Sequence, residues 1–351
     1  MDVKQVFRTL SEASGISGYE QEVAKPIQDA CQWVDEIRTD KLGNVIMLKK
    51  GQGTEPRPKV MLAAHMDEIG LIITKIEKDG FLRFSTVGGF DQRVLLGQEV
   101  IVHGKTQLTG IIGAKPPHVQ TQGEQNKAVK LEDLFIDVGY DTQEQVQELV
   151  RIGDLATIKR EVVDLQGSLM AGKAFDDRAG VAAIFECLKA LEGLKHEADV
   201  YAVATVQEEV GLRGAVTSTY GIVPDLGIAI DVGFGDQPGL PESDTIKLSQ
   251  GPGVAIGPHV HPKVYERMVE TAKEWNINYS VDPSPSPGGT DAYAIQVTRA
   301  GVATILLSIP LRYMHTPIET LDYEDVKRTG KLMALFIAGL DNEFVEGLTC
   351  F

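Results

Sequence analysis

The chain has 351 residues, of which 50 are acidic and 34 are basic, so its formal net charge is −16. Because phosphate neutralisation needs clustered Lys and Arg, this charge argues against a nucleic-acid partner and favours small molecules or peptides. The length fits two domains, and the apolar fraction of 43% is enough to give each of them a buried core.

The sequence also argues against a membrane or an oxidising compartment. No run of residues is long and apolar enough to span a bilayer, and residues 1–14 carry charges where a signal peptide has its apolar core. Cys31, Cys187 and Cys350 are odd in number and far apart, which argues against a disulfide framework or a thiolate metal site. We therefore expect a cytoplasmic protein.

The first part of the chain predicts helices followed by strands. Apolar residues recur at helical spacing over residues 3–10 and again over residues 23–31. Two short apolar runs, residues 45–48 and 60–64, are separated by Gly and Pro, so we expect two strands joined by a turn. The second of these strands leads directly into His65.

The pattern changes between residue 70 and about residue 161, where short β-branched runs alternate with glycines. The predicted strands in this region are residues 71–76, 81–87, 100–102 and 109–112. Strands this short and this closely spaced are typical of a small β-barrel. We assign residues 67–165 to an inserted β domain, and residues 1–66 together with 166–351 to the main domain.

Helices and strands alternate again after the insert. The predicted helices are residues 178–191, 263–275 and 323–340, and the predicted strands are residues 201–206, 226–230 and 303–308. This alternation predicts an α/β fold with a doubly wound, mostly parallel sheet and helices on both faces.

Polar residues follow the apolar runs at several places. In open α/β sheets, ligands bind beyond the carboxyl ends of the strands, so these polar residues are the candidates for a functional site. They are His65 with Asp67, Asp176 with Asp177, Glu208 with Glu209, Asp231, and His315. Each position alone has an ordinary structural explanation, such as a helix cap. Together, imidazoles and carboxylates without thiolates predict a site for zinc, cobalt or manganese.

Two metal ions explain this set better than one. A single catalytic zinc uses three protein ligands, whereas two histidines and three carboxylates suit two ions bridged by one Asp and a water or hydroxide. The sequence chemistry does not choose between Asp176 and Asp177 as that bridge. Asp67 can accept the ring N–H of His65, and Glu208 remains as the general base for the water proton.

Several motifs together resemble those of the tetrahedral, or TET, aminopeptidases, a family with glutamyl, leucyl and lysyl members and some members labelled endoglucanase. The motifs are residues 64–68 (AHMDE), 174–178 (AFDDR), 206–215 (VQEEVGLRGA), 229–232 (AIDV), 288–292 (GGTDA) and 312–316 (RYMHT). The resemblance implies a di-metal aminopeptidase whose insert, similar to a PDZ domain, serves dimerisation. It also implies homodimers that assemble into a tetrahedral dodecamer.

The same resemblance implies a role for each candidate residue. His65 and Asp231 bind one ion, Glu209 and His315 bind the other, Asp176 bridges the two, Glu208 is the base and Asp67 supports His65. A cis peptide bond is expected to follow the bridging Asp. The implied ions are two divalent cations per subunit, Zn²⁺ or Co²⁺, with Mn²⁺ as a third choice, and the implied substrates are peptides.

Three other functions are compatible with parts of the sequence. A metal-dependent amidase or acylase would use the same chemistry on non-peptide substrates. An endoglucanase would need two carboxylates that flank a sugar bond, and it would give no role to His65 or His315. A non-catalytic, metal-stabilised assembly protein would have closed metal sites, which a free Glu208 argues against.

Overall fold

The computed structural model describes residues 2–119, 127–286 and 288–349. Cys350 lies outside these ranges, and Cys31 and Cys187 are buried free thiols. Among the residues that the structure describes, no helix has both the length and the apolar content needed to cross a bilayer.

The α-helices and the short 3₁₀ helices follow the chain in this order. The α-helices are α1 Val3–Glu12, α2 Gln21–Ala30, α3 Gln143–Gln147, α4 Phe175–Leu191, α5 Arg213–Ile222, α6 Pro262–Glu274, α7 Asp291–Val297, α8 Tyr323–Ala338 and α9 Asn342–Glu346. The 3₁₀ helices are Gln92–Val94, Pro117–Val119, Leu131–Asp133 and Glu242–Asp244.

The strands form two separate sheets. The strands are β1 Glu36–Thr39, β2 Val45–Lys49, β3 Lys59–His65, β4 Gly70–Ile76, β5 Leu82–Val87, β6 Glu99–His103, β7 Gln107–Gly113, β8 Phe135–Asp137, β9 Leu155–Ile158, β10 Val163–Asp164, β11 Leu169–Gly172, β12 Asp199–Thr205, β13 Leu226–Phe234, β14 Gly253–Ile256, β15 Ser280–Pro283, β16 Ala303–Arg312 and β17 Glu319–Asp322.

The larger sheet has 11 strands, ordered β1-β2-β12-β3-β13-β16-β17-β11-β10, with β14 and β15 branching from β16. The four central strands, β12, β3, β13 and β16, are parallel, and antiparallel strands extend the sheet on both sides. Central parallel strands are buried on both faces and therefore read as continuous apolar runs. β3 fits this rule, since every residue after Lys59 is buried.

Helices cover both faces of the larger sheet. On one face, α4 packs on β3 and β13, and α1 and α8 pack on α4. On the other face, α5 contacts β12 and α7 contacts β13 and β16. α4 is apolar almost all round, as expected for a helix covered on every side. The predicted α/β fold with helices on both faces is confirmed.

The smaller sheet is a closed barrel with the strand order β4-β5-β8-β7-β6-β9. Its neighbouring strands are antiparallel, and inward-pointing apolar residues such as Leu71, Val100 and Ile136 form a buried cluster inside it. Closure leaves the barrel without a free sheet edge. The predicted small β-barrel inserted in the α/β fold is therefore confirmed.

Some elements have no clear pattern in the sequence. β1 was not predicted, because all four of its residues are exposed and it lacks an apolar run. β11 and β17 were also missed, since each is only four residues long. β16 extends four residues beyond its predicted end at Ser308, as far as Arg312. The antiparallel extension of the sheet is built from these short pieces.

Candidate metal centre

The carboxyl ends of neighbouring parallel strands bring the candidate side chains to one edge of the sheet. β3 ends at His65, and β12 ends at Thr205, just before Glu208. Thr205 and His65 lie opposite each other in the parallel pairing. β13, on the other side of β3, carries Asp231 near its carboxyl end. Strand order alone therefore gathers residues that are far apart in the chain.

Asp176 lies between the two histidines. Its Oδ1 is 3.1 Å from Nε2 of His65, and its Oδ2 is 3.3 Å from Nε2 of His315. Glu208 Oε2 is 3.8 Å from the His65 nitrogen, and Glu209 Oε1 is 3.6 Å from the His315 nitrogen. One carboxylate thus presents an oxygen to each of two neighbouring groups of donor atoms.

All of the candidate residues lie in this one region. Among the residues that the structure describes, three groups of donor atoms are close enough together to hold a cation, with all atoms of a group within 4.8 Å of one another. The groups are His65 with Asp177 and Asp231, His65 with Glu208 and Glu209, and Asp176 with Glu209 and His315. Their imidazole and carboxylate donors suit zinc, cobalt or manganese.

Asp176 and Asp177 differ in their surroundings. The peptide bond between them is cis, as the resemblance implied. Asp177 Oδ1 accepts a hydrogen bond of 3.0 Å from the N–H of Gly180, whereas its buried Oδ2 has no partner among the described residues. Asp176 instead faces both histidines. The geometry therefore favours Asp176 as the bridge, with Asp177 beside His65 and Asp231.

Burial raises the pKa values of several carboxyl groups in the cluster. It is the main cause for Glu208, whose pKa rises to about 10, and for Glu209, whose pKa rises to about 7. Asp231 has its pKa raised well above the ordinary value, again chiefly by burial. So many buried carboxyl groups cannot all ionise without a compensating cation. This excess of negative charge fits a site for divalent metal ions.

The pKa values of the histidines and of Asp176 are set by their hydrogen bonds and charged neighbours, which outweigh burial. Burial acts to lower the pKa of His65, but the Glu208 carboxylate and the hydrogen bond with Asp176 outweigh it, so the pKa rises. The hydrogen bond with Asp176 raises the pKa of His315 to about 9. Burial acts to raise the pKa of Asp176, but hydrogen bonds with both histidines lower it. The negative charge of the surrounding carboxylates thus favours the protonated, cationic form of both imidazoles.

The nearby basic side chains do not neutralise the cluster, because they are already paired. Lys173 Nζ lies 2.7 Å from Glu68, and an Arg178 nitrogen lies 3.3 Å from the same carboxylate. Arg178 also donates to the main-chain oxygens of Leu10 and Ala13 in and after α1. This buried ion cluster ties the start of the chain to α4, behind the candidate ligands.

Asp67 fixes the turn that carries the glutamate pair. Its Oδ1 accepts from the N–H of Glu208 at 3.0 Å, and its Oδ2 accepts from the N–H of Glu209 at 3.3 Å and from the Ser17 hydroxyl at 2.6 Å. The nearest acceptor for His65 Nδ1 is the main-chain oxygen of Asp67 at 3.1 Å, while the carboxylate is 3.6 Å away. Asp67 therefore orients His65 mainly through its backbone and the glutamates through its side chain.

Glu319 makes a matching arrangement that the sequence analysis missed. Its Oε2 accepts from the N–H of Asp176 at 3.1 Å, and its Oε1 accepts from the N–H of His315 at 3.2 Å. The side chain is buried, and burial raises its pKa well above the ordinary value. The carboxylates of Asp67 and Glu319 thus each accept hydrogen bonds from the backbone N–H groups of two residues of the cluster and hold those residues in place.

We expect Glu319→Gln to weaken metal binding by about 10- to 100-fold, the usual effect of losing a group that supports a ligand. The Gln amide nitrogen would face a backbone N–H, so Asp176 or His315 would shift. Titration of chelated protein with Zn²⁺ or Co²⁺, followed by calorimetry, measures the affinity.

Asp325→Asn is the matched control for this change. Asp325 is also fully buried and accepts from two backbone N–H groups, those of Ser249 and Gly251, at 2.6 and 2.7 Å. It lies outside the cluster, so its loss should lower thermal stability without changing metal affinity. Equal metal affinities for the two variants would contradict the role of Glu319 in positioning Asp176 and His315.

With this geometry in place, comparison with known proteins identifies the family. Residues 43–332 match the family described as M42 glutamyl aminopeptidase. The chain belongs to the M42 aminopeptidase family. A lysyl aminopeptidase of Pyrococcus furiosus is 39% identical over 333 residues, which cover 93% of this chain and 94% of that relative.

Solved M42-like structures agree over almost the whole chain. A TET aminopeptidase from a marine sediment thaumarchaeon has a TM-score of 0.94 and 36% identity, and the match covers 99% of both chains. A TET1 peptidase of Pyrococcus horikoshii has a TM-score of 0.84 and 32% identity, over 97% of this chain and 100% of that one. The latter is described as able to assemble into a tetrahedron or a large octahedral shell.

These matches confirm the resemblance to the TET aminopeptidases. The M42 chain described here is therefore a hydrolase, a metal-dependent aminopeptidase. The endoglucanase, amidase and non-catalytic alternatives are not favoured.

Proposed function

We propose that this enzyme removes N-terminal residues from peptides with two divalent metal ions bound at the described cluster. The observation that carries the proposal is the position of Asp176, whose two carboxylate oxygens each approach a different histidine. By this proposal His65 and Asp231 hold one ion, Glu209 and His315 hold the other, and Asp176 contacts both. The proposed ions are Zn²⁺ or Co²⁺, with Mn²⁺ as a third choice.

Ions held by these side chains would polarise the carbonyl of the first peptide bond and lower the pKa of a water molecule. Glu208 would accept a proton from the attacking water and pass it to the leaving amine. Asp67 keeps Glu208 and Glu209 in place through their backbone N–H groups.

The rival functions have weaker support in the cluster. An endoglucanase mechanism has no use for histidines that contact a shared carboxylate. A purely structural metal site would be closed by protein ligands, whereas a cavity of about 620 Å³ opens onto His65, Asp176 and Glu208. This opening leaves room for a substrate beside the proposed ions.

Assembly is the second part of the proposal. We infer that residues 67–165 form a dimerisation domain and that dimers build a tetrahedral dodecamer, as the assembly described for the Pyrococcus horikoshii relative supports. Exposed apolar side chains on or beside the barrel, among them Leu96, Ile111 and Ile152, are available for such contacts. Light scattering measures the mass, and a monomer would contradict this part. The cytoplasmic location stays a prediction.

A set of matched peptides tests the activity. Metal-loaded enzyme should release the first residue of a short peptide with a free amino terminus, and it should leave the N-acetylated form of the same peptide intact. Mass spectrometry identifies the products. Cleavage of an internal bond, or equal cleavage of the acetylated peptide, would contradict an aminopeptidase. Hydrolysis of N-acyl amino acids alone would favour the acylase alternative.

A further inference from the structure

The cavity beside the catalytic cluster has a composition that bears on substrate choice. It has a volume of about 620 Å³ and extends from His65 and Glu208 along the edge of the sheet to β15. Among the described residues that line it, there is no Lys or Arg. Two carboxylates that belong neither to the proposed metal ligands nor to the proposed base, those of Asp244 and Asp282, also line it. The cavity therefore offers negative charge away from the reaction centre.

Asp282 is held in position by its neighbours in the sheet. Its Oδ2 accepts a hydrogen bond of 3.0 Å from the hydroxyl of Ser308 in β16. β14 lies between the two strands, and Gly253 of β14 pairs with Ser308. A Cβ at Gly253 would lie 3.2 Å from the Asp282 Cβ, so the glycine lets the Asp282 side chain lean across β14. The carboxylate is thus fixed over the cavity.

The same pairing fixes how far this carboxylate is from the proposed metal ligands. Ser308 lies opposite Asp231 in the parallel pairing of β16 with β13. Because neighbouring strands are about 4.8 Å apart, a group bonded to Ser308 lies within roughly two strand spacings of Asp231. A side chain as long as lysine, attached to a residue whose carbonyl is at the metal cluster, spans such a gap.

Apolar side chains also line the cavity. Phe234, Ile246 and Met314 all contribute to the cavity wall. Such surfaces suit the methylene stem of a lysine, while the charged end contacts a carboxylate. Asp282 accepts from the Ser308 hydroxyl, and no Lys or Arg is among the described residues that line the cavity, so its charge remains available to a ligand. The wall and the carboxylate together match a long cationic side chain.

The names of the related proteins leave the preferred charge open, because the family is described as glutamyl and the Pyrococcus furiosus relative as lysyl. We propose that this cavity binds the side chain of the N-terminal residue and selects a cationic one, Lys or Arg, through Asp282. Asp244, which is exposed and also lines the cavity, adds to the negative potential. The inference rests on the proposed aminopeptidase function and names the substrate class of that site.

Wild-type enzyme tests the first part of this inference. Lysyl and norleucyl substrates with the same leaving group differ in charge but have similar stems. We expect kcat/KM for the lysyl substrate to exceed that for the norleucyl substrate by about tenfold or more, since hydrogen bonds to charged groups are the stronger class. A glutamyl substrate should be the poorest of the three.

Substitution of Asp282 tests the assigned residue. Asp282→Asn keeps the size of the side chain and an acceptor for Ser308 but removes the charge, so the lysyl-to-norleucyl ratio should fall towards one. Asp244→Asn, at an exposed position, should lower the ratio by a smaller factor. Asp29 is an exposed residue of α2 that does not line the cavity. Asp29→Asn makes the same change of charge and should leave the lysyl-to-norleucyl ratio as in wild type.

The outcomes separate the two proposals. Efficient cleavage of norleucyl substrates without a lysyl advantage overturns the charge selection and leaves the aminopeptidase function standing. A lysyl advantage that survives both Asp282→Asn and Asp244→Asn overturns the residue assignment. Cleavage of no substrate with a free amino terminus overturns the proposed function and this inference with it.

Discussion

Replacing Glu208 with Gln is expected to lower kcat by about 10²- to 10⁴-fold, the range that a positioned general base contributes. The Gln side chain has nearly the same shape, so the hydrogen bond from the residue 208 N–H to Asp67 should persist. An amide cannot take the proton from the attacking water. Steady-state kinetics on metal-loaded enzyme measures the loss.

The neighbouring residue provides a sharp comparison. Glu209→Gln makes the same chemical change one position along, but Glu209 lies within 3.6 Å of His315 and is a proposed metal ligand. We expect this variant to lose metal as well as activity. Elemental analysis should therefore find near-normal metal in Glu208→Gln and a deficit in Glu209→Gln. Full turnover by Glu208→Gln, or equal metal loss in both variants, would contradict the division of roles.

The glutamate pair and several other residues of the cluster could be predicted from the sequence because they follow apolar runs. An apolar run that ends in two acids leaves the acids at the edge of a sheet, where charge is difficult to explain by packing. β12 is followed by Glu208 and Glu209, and the apolar run of β3 ends at His65, so these polar residues could be predicted from the two runs alone. Strand order then assembles the cluster, because parallel strands share one carboxyl edge.

The role of Glu319 could not be predicted from the sequence. It begins a four-residue strand, and no long apolar run precedes it. Its function depends on the backbone N–H groups of Asp176, which is far away in the chain, and His315. No residue pattern records such a bond. Asp282 is similar, since its position depends on the missing side chain at Gly253 in a different strand.

Removal of the metal ions is expected to abolish activity and to make the stability of the folded protein fall as the pH rises from about 6 to about 9. Burial raises the pKa of Glu209 from 4.5 to about 7 and that of Glu208 to about 10. Above about pH 4.5 the unfolded chain has released both protons, whereas the folded chain keeps the Glu209 proton up to about pH 7 and the Glu208 proton up to about pH 10. Each rise in pH therefore favours unfolding.

The pKa shifts of His315 and Asp176 do not reverse this fall in stability with rising pH. The raised pKa of His315, about 9, means that the folded protein holds a proton which the unfolded chain loses near 6.5. Its stabilising effect is therefore complete below 6.5 and is lost as the pH rises through 9. The lowered pKa of Asp176 has the opposite effect, but only below its ordinary value of 3.8. Between about pH 6 and 9, Glu208 and His315 therefore lower the stability as the pH rises, Glu209 adds to this effect up to about pH 7, and Asp176 does not oppose it.

Bound cations should remove most of this pH dependence, because they allow the carboxylates to ionise in the folded state and make protonation of the histidines unnecessary. Urea unfolding at several pH values, at one fixed protein concentration, compares chelated and reloaded enzyme. The chelated form should lose stability with rising pH, and the reloaded form should change little. If the free energy of unfolding depended on pH equally in the chelated and reloaded forms, the buried charges of the cluster would be balanced within the chain itself. The electrostatic argument for divalent ions at His65, Asp176 and His315 would then fail.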